Sequence, residues 1–174
     1  KVSRTLSLGI LKNSMKTMAR ASIEIERKFL VSGEFRHFAK SSVRVKQGYL
    51  CSEEGRTVRV RVMDDKGYLT IKGRTSNSGM SRFEWEKEID VQEAERLLAL
   101  CDTTIDKTRY YIEAGDHTFE VDEFYGENEG LTLAEVELSS VDEAYEKPDF
   151  IDEEVTGDVK YYNSFLMKHP FSKW

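Results

Sequence analysis

The sequence predicts an α+β fold in which an eight-stranded antiparallel β-barrel closes into a tunnel with a charged interior and helices packed on the outside. Three observations predict it. About eight segments alternate in chemistry at every second residue, the period of a strand, and most are joined by hairpin-length turns. On these segments one face is ionic, and the basic doublets fall on different strands from the acidic doublets. Two further stretches, 91–101 and 160–168, carry apolar stripes at helical spacing that need a surface to cover.

Composition bounds the answer first. A chain of 174 residues, 39% hydrophobic, supports one domain with a core of its own. The net charge of −6 is unevenly spread: residues 1–22 hold five basic residues and no acid, so the remainder carries −11. We therefore expect a basic, poorly ordered arm over 1–22 and a single domain over 23–174. An acidic body argues against nucleic acid as a partner but leaves room for a local basic pocket. No apolar run approaches the ~20 residues of a membrane span, so no membrane partner is expected. Cys51 and Cys101 lack metal-type spacing and suit reduced thiols in a cytoplasmic protein, with a disulfide between them left open.

In chain order, Glu24–Val31 opens as a strand with Glu24, Glu26 and Lys28 on one face and Ile25 and Phe29 on the other. Such carboxylates stand ~7 Å apart and repel by about 2.4 kcal/mol at an effective dielectric of 20, so a buried version needs cations. Ser32 caps a short helix expected over 33–40, with Phe35 and Phe38 on one side. Strands follow at Val43–Leu50, with Arg44 and Lys46 sharing a face, and at Arg56–Met63, with Val58, Val60 and Val62 opposite Arg59 and Arg61. Asp64–Gly67 reads as a hairpin turn into Gly67–Gly73, which presents Lys72. Arg74–Ser81 reads as a loop whose tip can close over a ligand.

Arg82–Asp90 groups Arg82, Glu84, Glu86 and Glu88 against Phe83, Trp85 and Ile89. Asp90 caps a helix over 91–101 with Ala94, Leu97, Leu98 and Cys101 as its stripe. Lys107–Glu113 pairs Lys107 with Arg109; His117–Phe124 pairs Glu120 with Asp122; Leu133–Ser140 pairs Glu135 with Glu137. A helical turn is expected at 142–144, an acidic loop at 150–158, and a closing helix at 160–168 that buries Tyr161, Phe165 and Leu166. Tyr162 and Asn163 on that helix have no apolar purpose. The three histidines show no zinc spacing and read as surface or packing residues.

Antiparallel strands in this number favour closure, which removes exposed edges. Either face can point inward. With the apolar face inside, the charges form a solvated shell around an ordinary binding barrel. A charged interior is favoured because the basic doublets and the acidic doublets keep to separate strands and because the two helices could cover an apolar exterior. It would hold a polyanion on guanidinium forks and a hard metal on carboxylate oxygens, Mg²⁺ or Mn²⁺ by ligand type.

Glu24-x-Glu26-x-Lys28, Gln47-Gly48-Tyr49-Leu50, Arg59-x-Arg61, Lys72, Glu84-x-Glu86, Lys107-x-Arg109, Glu135-x-Glu137 and Glu154-Val155-Thr156, with Tyr161 and Asn163, occur in the order seen in the CYTH group. Over 23–168 the chain resembles these triphosphate tunnel metalloenzymes, which include class IV adenylate cyclases, thiamine triphosphatases and compact bacterial inorganic triphosphatases.

The resemblance implies a tunnel that hydrolyses a linear triphosphate with Mg²⁺ or Mn²⁺. Inorganic tripolyphosphate is the favoured substrate, because the chain lacks an added domain or an adenine-reading motif. Class IV cyclase activity, thiamine triphosphatase activity and a non-catalytic polyphosphate- or nucleotide-binding module are the alternatives. By position, the resemblance makes Glu24, Glu26, Asp122, Glu135 and Glu137 metal ligands or their supports, with Glu84 and Glu86 as further members. It makes Lys28, Arg59, Arg61, Lys72, Lys107, Arg109 and Lys160 phosphate-binding. A carboxylate of the Glu24/Glu26 or Glu135/Glu137 sets would orient the attacking water, with a Lys72–Tyr49 pair as the alternative. Oligomeric state is left open, a homodimer included.

Overall fold

A computed structural model describes residues 20–53, 55–77 and 80–174; the expected arm lies almost wholly outside them. Its strands are β1 (Arg20–Val31), β2 (Ser41–Glu53), β3 (Arg56–Met63), β4 (Lys66–Thr75), β5 (Ser81–Ile89), β6 (Thr104–Ala114), β7 (His117–Phe124), β8 (Thr132–Glu137) and β9 (Ile151–Glu154). The helices are α1 (Val91–Leu98) and a single turn, α2 (Asn163–Leu166). All pairings are antiparallel. The order β5-β4-β3-β2-β6-β7-β8-β1 is closed by a β1–β5 pairing into an eight-stranded barrel.

β1 closes it by serving two partners in succession. Residues Arg20–Ile25 pair with β5, Glu26–Leu30 pair with β8, and β9 adds beside Phe29 and Val31.

Three covers bury most of the apolar core. On the outside of β1, β6, β7 and β8, residues Phe29, Ile112, Phe119, Val121 and Val136 pack under Phe35, Leu138 and Phe150 from the flanking segments. On the outside of β3 and β4, Val60 meets Ala94 and Leu98 of α1. Asp90 caps that helix through the backbone N–H groups of Gln92 and Glu93. Close approach requires Gly67, where a Cβ would lie 2.6 Å from the Ala94 Cβ and 2.9 Å from the Asp90 carbonyl oxygen. The third cover lies within the lumen: Leu30, Ile105, Phe124 and Leu133 share the inward face with Lys28, Lys107, Asp122 and Glu135, and Val155, Tyr161 and Leu166 seal them. One end of the tunnel is thus an apolar plug.

Several expectations are corrected. The helix at 33–40 is one 3-10 turn, Arg36–Phe38, because Phe35 is drawn into the core against Tyr110 and Phe150. α1 stops at Leu98. No helix forms at 142–144, and the acidic loop contains β9, whose Asp152, Glu153 and Glu154 are all exposed. The closing helix splits into a 3-10 turn at Val159–Tyr161 and α2, with an extended Tyr162 between them. Finally, β2 turns Arg44 and Lys46 outward. Arg44 forks onto Asp106 with two bonds of 2.7 Å and lies over Tyr125, while Val45, Gln47 and Tyr49 take the inward face.

Candidate active site

Along the rest of the lumen runs a cavity of about 600 Å³ whose lining includes eight carboxylates, six lysine or arginine side chains, Tyr49, Tyr162 and Asn163. The strand register sets the ion pairs, because paired positions on neighbouring strands point the same way. Lys28 lies opposite Glu135, Glu24 opposite Arg82, Lys72 opposite Glu84, and Arg109 opposite Asp122. Each of these becomes a contact.

Glu24 accepts from the Lys72 ammonium at 2.8 and 3.0 Å and from Arg82 Nε at 2.9 Å. Burial alone would raise its pKa, but Lys72 and Arg82 outweigh burial and take it down to about 2. Arg82 reaches on to Glu26 at 3.4 Å. The Lys72 ammonium also meets Glu84 at 2.6 Å.

Across the tunnel, the Lys28 ammonium contacts Glu135 at 2.8 Å and sits over the Tyr162 ring. Arg109 forks onto Asp122 with two bonds of 2.7 Å, reaches Glu135 at 3.3 Å and pairs with Glu120. Arg61 donates to Glu86 at 2.9 Å, and Arg59 donates to Thr70 at 3.3 Å. The Nε–H groups of both arginines are buried without a hydrogen-bond partner. Both side chains also line the cavity, where guanidinium N–H groups suit an anion's oxygens.

Two carboxylates behave differently. Burial raises the pKa of Glu26, and the nearby Glu135 charge raises it further. Glu137 is raised by burial and then by the charges of Glu24, Glu120, Glu84 and Glu26, and it has no ion-pair partner among the described residues. Glu26 and Glu137 face each other in register. This corner of the cavity has more negative charge than its cations balance, which fits a divalent cation, although among the described residues no three ligating side chains converge as they stand.

Of the sequence-predicted residues, Glu24, Glu26, Lys28, Tyr49, Arg59, Arg61, Lys72, Arg109, Glu135 and Glu137 line the cavity together, with Glu84 and Glu86. Three do not. Asp122, expected as a metal ligand, is 2% exposed and fully engaged by Arg109 and Lys107. Lys107, expected on phosphate, is buried behind that pair. Lys160 is exposed, its ammonium 4.3 Å from the Trp174 ring centroid. Sequence reasoning missed Arg82 and Glu120 as site residues, although each already shared a face with acidic site positions. It also missed His117, which lines the cavity and meets Glu143 at 3.1 Å.

A family model, the CYTH domain, matches residues 22–162. The chain belongs to the CYTH domain family. Among its relatives, an inorganic triphosphatase of Acetivibrio thermocellus is 48% identical over 87% of this chain and 97% of its own length. An inorganic triphosphatase of Nitrosomonas europaea is 38% identical over 82% of this chain and 95% of its own. The crystal structure of an inorganic triphosphatase superposes with a TM-score of 0.60 at 35% identity, over 83% of this chain and 97% of that one. The closed barrel with an ionic lumen is thus a CYTH tunnel. Among the described residues no helix is long and apolar enough to cross a membrane.

Proposed function

We propose that this CYTH tunnel hydrolyses inorganic tripolyphosphate to phosphate and pyrophosphate with Mg²⁺ or Mn²⁺. One observation carries the choice of substrate: among the described residues that line the cavity there is no Val, Leu, Ile, Met or Phe side chain. An adenine or thiamine ring would find there only the rings of Tyr49 and Tyr162, whereas phosphate oxygens would meet six guanidinium or ammonium groups. The names of the two curated relatives agree with this reading.

Glu24, Glu26, Glu135 and Glu137 are the residues that would hold the cation, which when bound supplies charge neutralisation at the phosphate oxygens and a more acidic water. Arg59 and Arg61, which line the cavity, would offer guanidinium N–H groups to non-bridging oxygens, where charge spreads in phosphoryl transfer. Tyr49 keeps its proton, because burial raises its pKa, and its oxygen accepts from Gln47 Nε2. Its hydroxyl is thereby free to donate to phosphate, and a tyrosinate base is disfavoured. The Lys72 ammonium, held between Glu24 and Glu84, serves as a fixed cation.

The test is release of phosphate and cyclic AMP from tripolyphosphate, ATP and thiamine triphosphate, with each metal and with chelator, for wild type and Glu135→Gln. We expect metal-dependent phosphate release, with kcat/KM for tripolyphosphate at least about tenfold above the others and a loss of about 100-fold or more in the variant. Metal-dependent turnover of none of the three would overturn the reading.

A further inference from the structure

We propose that Arg82 is an exchange cation: it holds Glu24 and Glu26 in the metal-free protein and moves to phosphate when a divalent ion takes those carboxylates. The proposal rests on the triphosphatase reading for the identity of the anion. Its structural ground is independent of the substrate.

Arg82 bridges the two carboxylates of β1, through Nε to Glu24 at 2.9 Å and through a terminal nitrogen to Glu26 at 3.4 Å. A metal on that pair must displace a cation. Lys72 can stay, because Glu84 also holds it at 2.6 Å. Among the described residues Arg82 makes no other ion pair, and its side chain is 21% exposed at the start of β5, so it has room to turn.

A destination lies nearby. Arg59, Lys28 and Tyr49 line the same cavity as Arg82. Cations that share one cavity repel one another until an anion joins them. A phosphate group there would draw the guanidinium away from β1, freeing two carboxylates for metal. Linkage makes the effect reciprocal: each ligand strengthens the other by the same factor.

The experiment measures Mn²⁺ binding alone by electron paramagnetic resonance. It also measures binding of imidotriphosphate, which resists hydrolysis, by calorimetry in EDTA and in Mn²⁺. In the wild type, Mn²⁺ should tighten imidotriphosphate binding by about 5- to 150-fold. Arg82→Gln should bind Mn²⁺ alone at least about fivefold tighter than wild type and bring the coupling toward one. Arg82→Lys, which keeps a charge but cannot bridge two carboxylates with a planar fork, should fall between them and decides the matter if the glutamine variant does not fold. Folded variants whose Mn²⁺ affinity is equal to or weaker than wild type would overturn the exchange. Failure of the triphosphatase reading looks different: wild type would release no phosphate from tripolyphosphate, while the Mn²⁺ comparison between variants would still read out.

Discussion

Asp122 gives the sharpest separation of structural from catalytic charge. The family pattern makes it a metal ligand, whereas the fold makes it the buried counter-ion of Arg109 and Lys107. Asp122→Asn keeps the shape and removes the charge, leaving the buried Lys107 ammonium without an ion-pair partner among the described residues and Arg109 with Glu120 and Glu135 alone. Breaking a buried pair from one side costs about 3–5 kcal/mol. In a domain of this size that is about 6–20 °C in Tm, a large share of a total stability of about 5–15 kcal/mol.

Lys107 is the weaker member of the cluster. Burial, and the neighbouring Arg109 against the pull of Asp122, take its pKa down to about 8. Lys107→Met should therefore cost under about 1.5 kcal/mol, because the Arg109–Asp122 fork survives. The assay is urea and thermal unfolding of both variants in EDTA, where metal ligation contributes nothing. An Asp122→Asn protein that melts within about 2 °C of wild type in EDTA, yet loses metal-dependent turnover, would refute the structural assignment.

The remaining predictions are smaller. Glu24 has a folded-state pKa of about 2 against an ordinary 4.5, so its stabilisation is present above pH 4.5 and is lost as pH falls from there through about 2. It is worth up to roughly 3 kcal/mol, and urea midpoints against pH should fall less steeply over that window in Glu24→Gln. Gly67→Ala should destabilise by about 1–3 kcal/mol, because its Cβ would meet Ala94 and the Asp90 carbonyl, and urea unfolding would report it. Lys160→Ala should leave kcat/KM for tripolyphosphate within about twofold, since its ammonium rests on Trp174; a larger loss would place that side chain on the substrate.

Legibility in the sequence followed the strength of local alternation. Arg56–Met63 and His117–Phe124 have the bounds read from the sequence, because ionic and apolar residues alternate with few exceptions and a turn residue follows each. β9 was not legible: three successive exposed acids carry no period, and the strand exists only because the edge of β1 lies open beside Phe29 and Val31. Tyr162 splits the expected closing helix for a tertiary reason, as its ring turns toward Lys28. Most cavity carboxylates were legible as doublets. Alternation places Arg82 on the right face but gives it no role, because a lone cation on an acidic strand looks like a salt-bridge partner until its bridge across Glu24 and Glu26 is known.

The strand that misled shows what alternation leaves open. Arg44 and Lys46 repeat the pattern of Arg59 and Arg61, yet one pair faces solvent and the other the tunnel. Alternation fixes that two side chains share a face; the neighbours decide which face it is. β3 must bury Val60 under α1, so its arginines go inward. β2 instead pairs Val45 with Lys107 and Gln47 with Ile105, beside the apolar plug, and an inward Arg44 would bring another cation toward Lys107 and Arg109. There Asp122 is already shared by two cations, so a third would stand without a counter-ion in a buried site. Asp106 on the outside receives Arg44 at much lower desolvation cost, and the barrel keeps its phosphate-binding charge where carboxylates and solvent-accessible space can balance it.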